Sequence, residues 1–274
     1  MKSIGMIMLA VGMAVMLLGV GVQTGQADLV SHWKMDDASG SATDSGPAGN
    51  DWPAYSVDTY SAPAVFGTGF YFNGGWAHYM NLGRTIAWPT VGADYESQPG
   101  ESFSAVGWYA SDNATSLGTI SLMMKGAFNI LPAWAIQTWG TAANGIQFKL
   151  LSSGLNVTAQ MASTPLATYF NGSFHHVAGV YDGTTGTLKL YVDGIEVDSV
   201  TNAGATAVAW GYSNSTLQAM WNGNAAYNPN MGEGTLDDLA YFDHALSPGE
   251  VQTIYNSGVA ALSVSTPGTL IYGK

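Results

Sequence analysis

Cysteine is absent from the 274 residues, which excludes disulfides, thiolate metal centres and lipid attachment through an N-terminal cysteine. Stability must come from a large core, with a bound ion as a further staple. Charged side chains amount to 9 %, and basic ones are the scarcest, 7 Lys and Arg against 19 Asp and Glu. The resulting formal charge of −12 repels phosphate backbones, so nucleic acid is not expected as a partner, whereas cations are compatible with it. Long apolar runs are missing except for Ile4 to Val22. That run follows the basic start Met1-Lys2-Ser3 and precedes the polar Gln23 to Ala27, the pattern of a signal peptide spanning residues 1–27. The alternative is a retained membrane anchor, because the run approaches the ~20 residues needed to span a bilayer. The first reading implies a secreted or extracytoplasmic chain beginning at Asp28.

What the chain does have is Gly, Ser, Thr, Asn and aromatic residues, the composition of a β domain with many tight turns. Turn signals recur at Asn73-Gly74, Asn144-Gly145, Asn171-Gly172, Asp182-Gly183, Asp193-Gly194 and Asn222-Gly223. Short apolar or alternating runs between them predict strands at Leu29–Met35, Phe70–Phe72, Phe103–Tyr109, Ile120–Met124, Trp134–Thr138, Ile146–Leu151 and Phe174–Tyr181. A hairpin turning at Asp193-Gly194 would set Val192 against Ile195, Leu190 against Val197 and Lys189 against Asp198. One helix is predicted: Ser247 as N-cap, Pro248 at the first position, Glu250 closing a capping box and Gly258 ending it. Thr85 to Gly100, with two prolines, reads as a loop or insertion. One β domain over residues 28–260 accounts for the pattern, with 261–274 as a tail outside the core.

Gly234-Thr-Leu-Asp-Asp-Leu-Ala-Tyr-Phe-Asp243 is the segment most charged with meaning. Successive strand residues point to opposite faces, so one of Asp237 and Asp238 should face inward. A carboxylate facing a core needs hydrogen bonds, a counter-charge or a metal.

Four stretches together resemble the laminin-G-like jelly roll of the concanavalin A-like lectin/glucanase superfamily. They are Leu29 to Asp37 with Asp44 to Asp51; Phe70 to Gly75 leading to Tyr79 to Gly83; Phe174 to Gly183 with Leu190 to Gly194; and Leu236 to Tyr255. The chain departs from the family pattern at Phe174, where Trp is usual, and at Ala240, where a basic residue is common. The resemblance implies an all-β fold, an antiparallel two-sheet jelly-roll sandwich with one short C-terminal helix. It also implies an ion joining the first strand to the last. The matching positions are Asp36 and Asp237, and calcium, with six to eight oxygen ligands, could draw the rest from backbone oxygens of the Asp44 to Asp51 loop. The alternative is that both carboxylates accept backbone hydrogen bonds at a strand crossing; under either reading Asp37 and Asp238 are expected to be solvated neighbours.

Aromatic faces stack on sugar rings, and Trp52, Trp76, Trp88 and Trp221 lie in Gly-, Pro- or Asn-bearing stretches where a ring can be exposed. Trp33, Trp108 and Trp134 fall within strand patterns and read as core, as the loop tryptophans also can. Glycosidases of the resembling superfamily carry Glu-x-Asp-x-x-Glu on one strand, and Glu196-Val-Asp198 lacks the second Glu, so no catalytic residue is assigned. His175-His176 point to opposite faces of a strand and read as packing rather than a shared metal site. Asn113, Asn156, Asn171 and Asn214 each open an Asn-x-Ser/Thr sequon. The functional expectation is a secreted, non-catalytic binding module for extracellular carbohydrate. The alternatives are an adhesive protein that binds other surface proteins, or a glycan-active enzyme of the same fold.

Overall fold

The computed structural model describes residues 29–55, 57–74, 79–82, 101–111, 121–125, 134–138, 145–152, 155–160, 168–204, 217–220 and 232–264. Among these, every strand pairing is antiparallel, and the strands form two sheets. The first sheet runs in the order Ile195–Thr201 (β14), Thr187–Val192 (β13), Phe174–Asp182 (β12), Phe103–Ala110 (β7), Glu233–Phe242 (β16), Thr68–Asn73 (β5), Thr59–Pro63 (β4). Leu29–Trp33 (β1) also pairs with β16. The second sheet runs Leu155–Gln160 (β11), Ile146–Ser152 (β10), Trp134–Thr138 (β9), Ser121–Lys125 (β8), Leu217–Ala219 (β15), Tyr79–Leu82 (β6), Trp52–Tyr55 (β3), Ser41–Ala42 (β2).

Alternation along the strands builds the core between the sheets. Phe103, Ala105 and Tyr109 of β7 meet Ile136 and Trp134 of β9 and Ile146, Phe148 and Leu150 of β10. Phe103 sits at the centre, its ring within 5.4–6.1 Å of the rings of Trp134, Phe148, Tyr181 and Tyr241. Gly179 of β12 lies where a Cβ would come within 2.5 Å of Phe148, so the sheets approach only because that side chain is missing.

The other face of the first sheet carries a second apolar cluster: Val106, Ala178, Val180, Tyr191, Ala240 and Phe242 under Leu246, Val251 and Ile254. The covering element is the helix Pro248–Ser257 (α1), with the expected capping box at Ser247 and Glu250 and Gly258 at its end. Apolar residues on both faces of β12 have this origin. Val259–Val264 continues as a 3-10 turn in which Val259 is buried and Leu262 packs on the same cluster, so packing runs two residues past position 260.

The β13–β14 hairpin departs from the expected register. Val192 faces Ile195 and Tyr191 faces Glu196, but a bulge then puts Leu190 opposite Asp198 and Lys189 opposite Ser199. Lys189 Nζ therefore donates to Glu196 Oε2 (3.0 Å) rather than pairing with Asp198, and Tyr191 Oη donates to the same oxygen (3.1 Å). One extra residue shifts every later partner, and no turn signal announces it. The stretch from Thr85 to Gly100 is described only in its neighbours, residues 79–82 and 101–111.

Candidate functional site

The site is built where β16 changes neighbours. Its first residues, Glu233 to Leu236, pair with β5, and its last, Leu239 to Phe242, pair with β1. On its other side it pairs with β7 through a bulge between Asp237 and Ala240. Asp238 takes a left-handed backbone (φ 50°), and Leu239 swings into the space left by Gly107, where a Cβ would lie 2.1 Å from its Cδ2. The bulge cancels the alternation expected of two adjacent residues. Asp237 and Asp238 both leave the sheet on the side covered by α1 and are 0 % and 4 % exposed. Asp238 is thus not a solvated neighbour.

Each carboxylate has its own task. Asp237 Oδ2 accepts the N–H groups of Val65 and Phe66 (2.9 Å each), and Asp36 Oδ1 accepts that of Thr68 (2.7 Å). The two residues from opposite ends of the domain thus grip one turn between β4 and β5. Gly67 (φ 69°) sits in that turn with the Asp36 carboxylate where a Cβ would stand. Asp238 Oδ1 accepts from His32 Nε2 (2.5 Å) and its Oδ2 accepts from Val259 N (2.9 Å), tying β1 to the end of α1. Asp37 binds Thr43 through its backbone N–H and Oγ1.

Asp237 Oδ1 has no hydrogen-bond partner among the described residues. Burial pushes the Asp237 carboxyl up to about 7; the N–H groups of Phe66 and Val65 act against that rise, and the charges of Asp238 and Asp36 add to it. A cation would offset this cost. The donor set available is Asp36 and Asp237, since no group of three acidic or histidine side chains is gathered among the described residues. Calcium could fit there only with backbone and water oxygens completing the shell. In the Asp44 to Asp51 loop the carboxylates are engaged locally: Asp44 accepts the N–H groups of His32, Gly46 and Asn50, and Asp51 accepts that of Asp44. Beside the junction opens a cleft of about 220 Å³ lined by His32, Lys34, Asp36, Phe66, Gly67, Asp238 and the Ser257-Gly258 end of α1.

Of the four loop tryptophans, Trp52 is a correction. It lies in β3, fully buried, with its ring 4.7 Å from that of Trp33, and offers no face to a ligand. Proline beside it suggested a loop, but Pro53 sits on a short strand next to the edge strand β2. Trp76, Trp88 and Trp221 lie outside the described residues. Trp33, Trp108 and Trp134 are buried as expected. His175 and His176 do point apart: His175 Nδ1 donates to Asp193 Oδ2 (2.8 Å), while His176 lies under α1.

A polar row on the second sheet was not foreseen. Trp134, Ile136, Ile146, Phe148, Leu217 and Ala219 belong to the inter-sheet core, so their neighbours Gln137, Gln147, Lys149 and Gln218 face the other way. Gln137 and Gln147 are cross-strand partners, and Met124 and Ala135 connect Gln218 to Lys149 across the sheet. Gln137 and Gln218 are 3 % and 7 % exposed, and Gln137 Nε2 and Gln218 Oε1 lack hydrogen-bond partners among the described residues. Burial lowers the Lys149 ammonium below its ordinary range. The signal was present in Trp134-Ala-Ile-Gln-Thr and Ile146-Gln-Phe-Lys-Leu, where amides alternate with core residues. The described side chains of this row include no carboxylate.

A family model described as the concanavalin A-like lectin/glucanases superfamily matches residues 86–252. No curated protein sequence matches the chain. Among solved structures, the binding domain of Paraclostridial Mosquitocidal Protein 1 aligns over 84 % of this chain and 52 % of its own, at 14 % identity and a TM-score of 0.62. Domain 4 of AbnA, a GH43 extracellular arabinanase from Geobacillus stearothermophilus in complex with arabinotriose, aligns over 83 % of this chain and 98 % of its own, at 20 % identity and a TM-score of 0.53. The binding domain of botulinum neurotoxin DC in complex with rat synaptotagmin II aligns over 84 % and 51 %, at 13 % identity and a TM-score of 0.58. The chain spans about half the length of the toxin domains it matches, and at these identities the likeness establishes the fold.

Proposed function

The chain belongs to the concanavalin A-like lectin/glucanase superfamily, and on that premise we propose that it is a non-catalytic module, exported from the cytoplasm, that binds extracellular carbohydrate. The observation that carries this reading is the amide row of the second sheet. Amides match sugar hydroxyls as both donors and acceptors, and two of their polar atoms have no partner among the described residues. In so sheltered a place, a hydroxyl that reaches them bonds with little competition from water. Ring stacking falls to Trp76, Trp88 and Trp221. The arabinotriose bound by the AbnA domain supports a sugar as the ligand class. Absence of catalysis is supported by Glu196, the start of the only Glu-x-Asp pair, being engaged by Lys189 and Tyr191 on the first sheet.

Retention on immobilised polysaccharides is the test. Replacing Gln137 and Gln218 together by Leu removes unpaired polar groups without changing shape much. Melting should stay level or rise, while affinity for the retained glycan should fall about tenfold or more. Equal affinity in the variant would remove the amide row from the reading. Reducing ends released from any panel member would overturn the non-catalytic assignment. Capture of a protein with indifference to sugars would favour the reading supported by the synaptotagmin complex, a protein receptor.

We assign the Asp36–Asp237 pair as the place for a structural calcium ion, which would join the two ends of the domain and neutralise a buried carboxylate. An ion bound only to the folded state at a hundred times its Kd adds about 2.7 kcal/mol. Chelator should therefore lower the melting temperature by several degrees, and calcium should restore it. An unchanged melting curve would remove the ion from this pair.

A further inference from the structure

Helix α1 rests on a buried histidine that, among the described residues, has no hydrogen-bond partner at either ring nitrogen. His176 is 0 % exposed, with its ring 5.4 Å from Trp108 and 6.2 Å from Tyr255 of α1. Tyr255 in turn stacks on Trp108 at 5.5 Å and 18°, so the helix is seated on a two-ring floor. Trp108 Nε1 is also buried and has no partner among the described residues. Native proteins rarely leave three such atoms together, because each costs free energy comparable to a lost hydrogen bond. Uncharged, the imidazole fits this apolar seat. Carrying a proton it would need solvent or a carboxylate in contact, and the seat provides neither.

We propose that His176 makes the docking of α1 acid-sensitive: protonation of its ring favours a state in which α1 lifts from the first sheet and water reaches the imidazole. The charged groups near it are engaged by other partners. Asp193, in the β13–β14 turn, is held by the His176 backbone N–H (3.0 Å) and by the His175 ring. Asp238 of β16 is bonded to His32 and Val259. Asp237 lies beyond Trp108, its cross-strand partner. Of the titratable groups of α1, Tyr255 packs against the ring and Glu250 closes the capping box at the far end.

Burial pushes the His176 imidazole down to about 4, against the opposing pull of the Asp193 and Asp238 charges, from an ordinary value of 6.5. The released state, with a solvated ring, takes up a proton near the ordinary value. Between those two pH values the released state binds more protons than the docked one, so docking weakens as pH falls. Each pH unit in that window changes the ratio by up to tenfold, roughly a few hundredfold in all. What release uncovers is the apolar floor of Val106, Ala178, Val180 and Phe242.

Hydrogen exchange on the full chain, corrected for intrinsic rates, between about pH 7 and about pH 4.5 tests this directly. Amides of 248–262 should lose protection by about tenfold or more relative to those of β7 and β12. His176→Phe, which keeps an aromatic ring and removes the proton site, should hold α1 protected across the range. Flat protection in the native chain, an equal fall in the Phe variant, or simultaneous opening of β7 and β12 would overturn the proposal. Should the variant not fold, the ring titration of His176 in the native chain decides. It must follow the loss of α1 protection, and titration near 6.5 with α1 still protected would refute the mechanism.

Discussion

Asp238→Ala should lower stability by roughly 2–6 kcal/mol, since it strands two buried groups, the His32 imidazole and the Val259 N–H, at about 1–3 kcal/mol each. Alanine also takes the left-handed backbone at φ 50° without the local side-chain hydrogen bonding that lets aspartate tolerate it, which adds to the loss. For a domain of this size the melting temperature should fall by on the order of 10 °C. Two companion variants separate these contributions. Glycine accepts the backbone and loses both bonds, so Asp238→Gly should fall between Asn and Ala. Asparagine tolerates the left-handed region and keeps an acceptor oxygen, so Asp238→Asn should be the mildest. Thermal melts of the three variants check the order. If all three melt together with the native protein, the carboxylate does not clasp β1 to the end of α1.

Gly183→Ala should be comparably damaging for a different reason. A Cβ at Gly183 would lie 1.9 Å from the carbonyl oxygen of Glu101 and 2.6 Å from its carbon. That neighbour is main chain leading directly into β7, and it cannot rotate away as a side chain would. The Gly183 N–H also donates to Ser102 Oγ (3.0 Å), which fixes the approach from the other direction. Accommodation requires the β12–β13 turn to pull back from the start of β7, and a loss of about 3 kcal/mol or more is expected. Denaturant titration reads it, and a variant within about 0.5 kcal/mol of the native protein would show that the turn can shift at little cost.

Asp182-Gly183 is legible in the sequence as a turn, and a turn is what forms. Its intolerance of a side chain is not legible, because Glu101 is distant in the chain and adjacent only in the fold. Trp52 teaches the converse. A tryptophan before a proline, in a stretch rich in Gly and Asn, has a loop's local signature, and only the pairing of β3 with β2 and β6 puts it in the core. The amide row lay in plain view as alternation in β9 and β10. Its neighbours across the sheet, in β8 and β15, come from other parts of the chain, so no single segment declared it.

What the sequence determined by itself rests on local physics. Strand alternation, Asn-Gly and Asp-Gly turns, and a capping box act over a few residues, and they suffice for the strands and for α1. Asp36 and Asp237, paired by the resemblance, both bond the turn from Val65 to Thr68. Only the tertiary structure decided what their neighbourhood is. A bulge opposite Gly107 turned Asp238 inward toward His32, and the register slip in the β13–β14 hairpin moved Lys189 from Asp198 to Glu196. Both depend on where one extra residue is inserted into a ladder. That choice is set by packing between segments far apart in the chain, such as Leu239 filling the gap at Gly107, and it leaves no local mark.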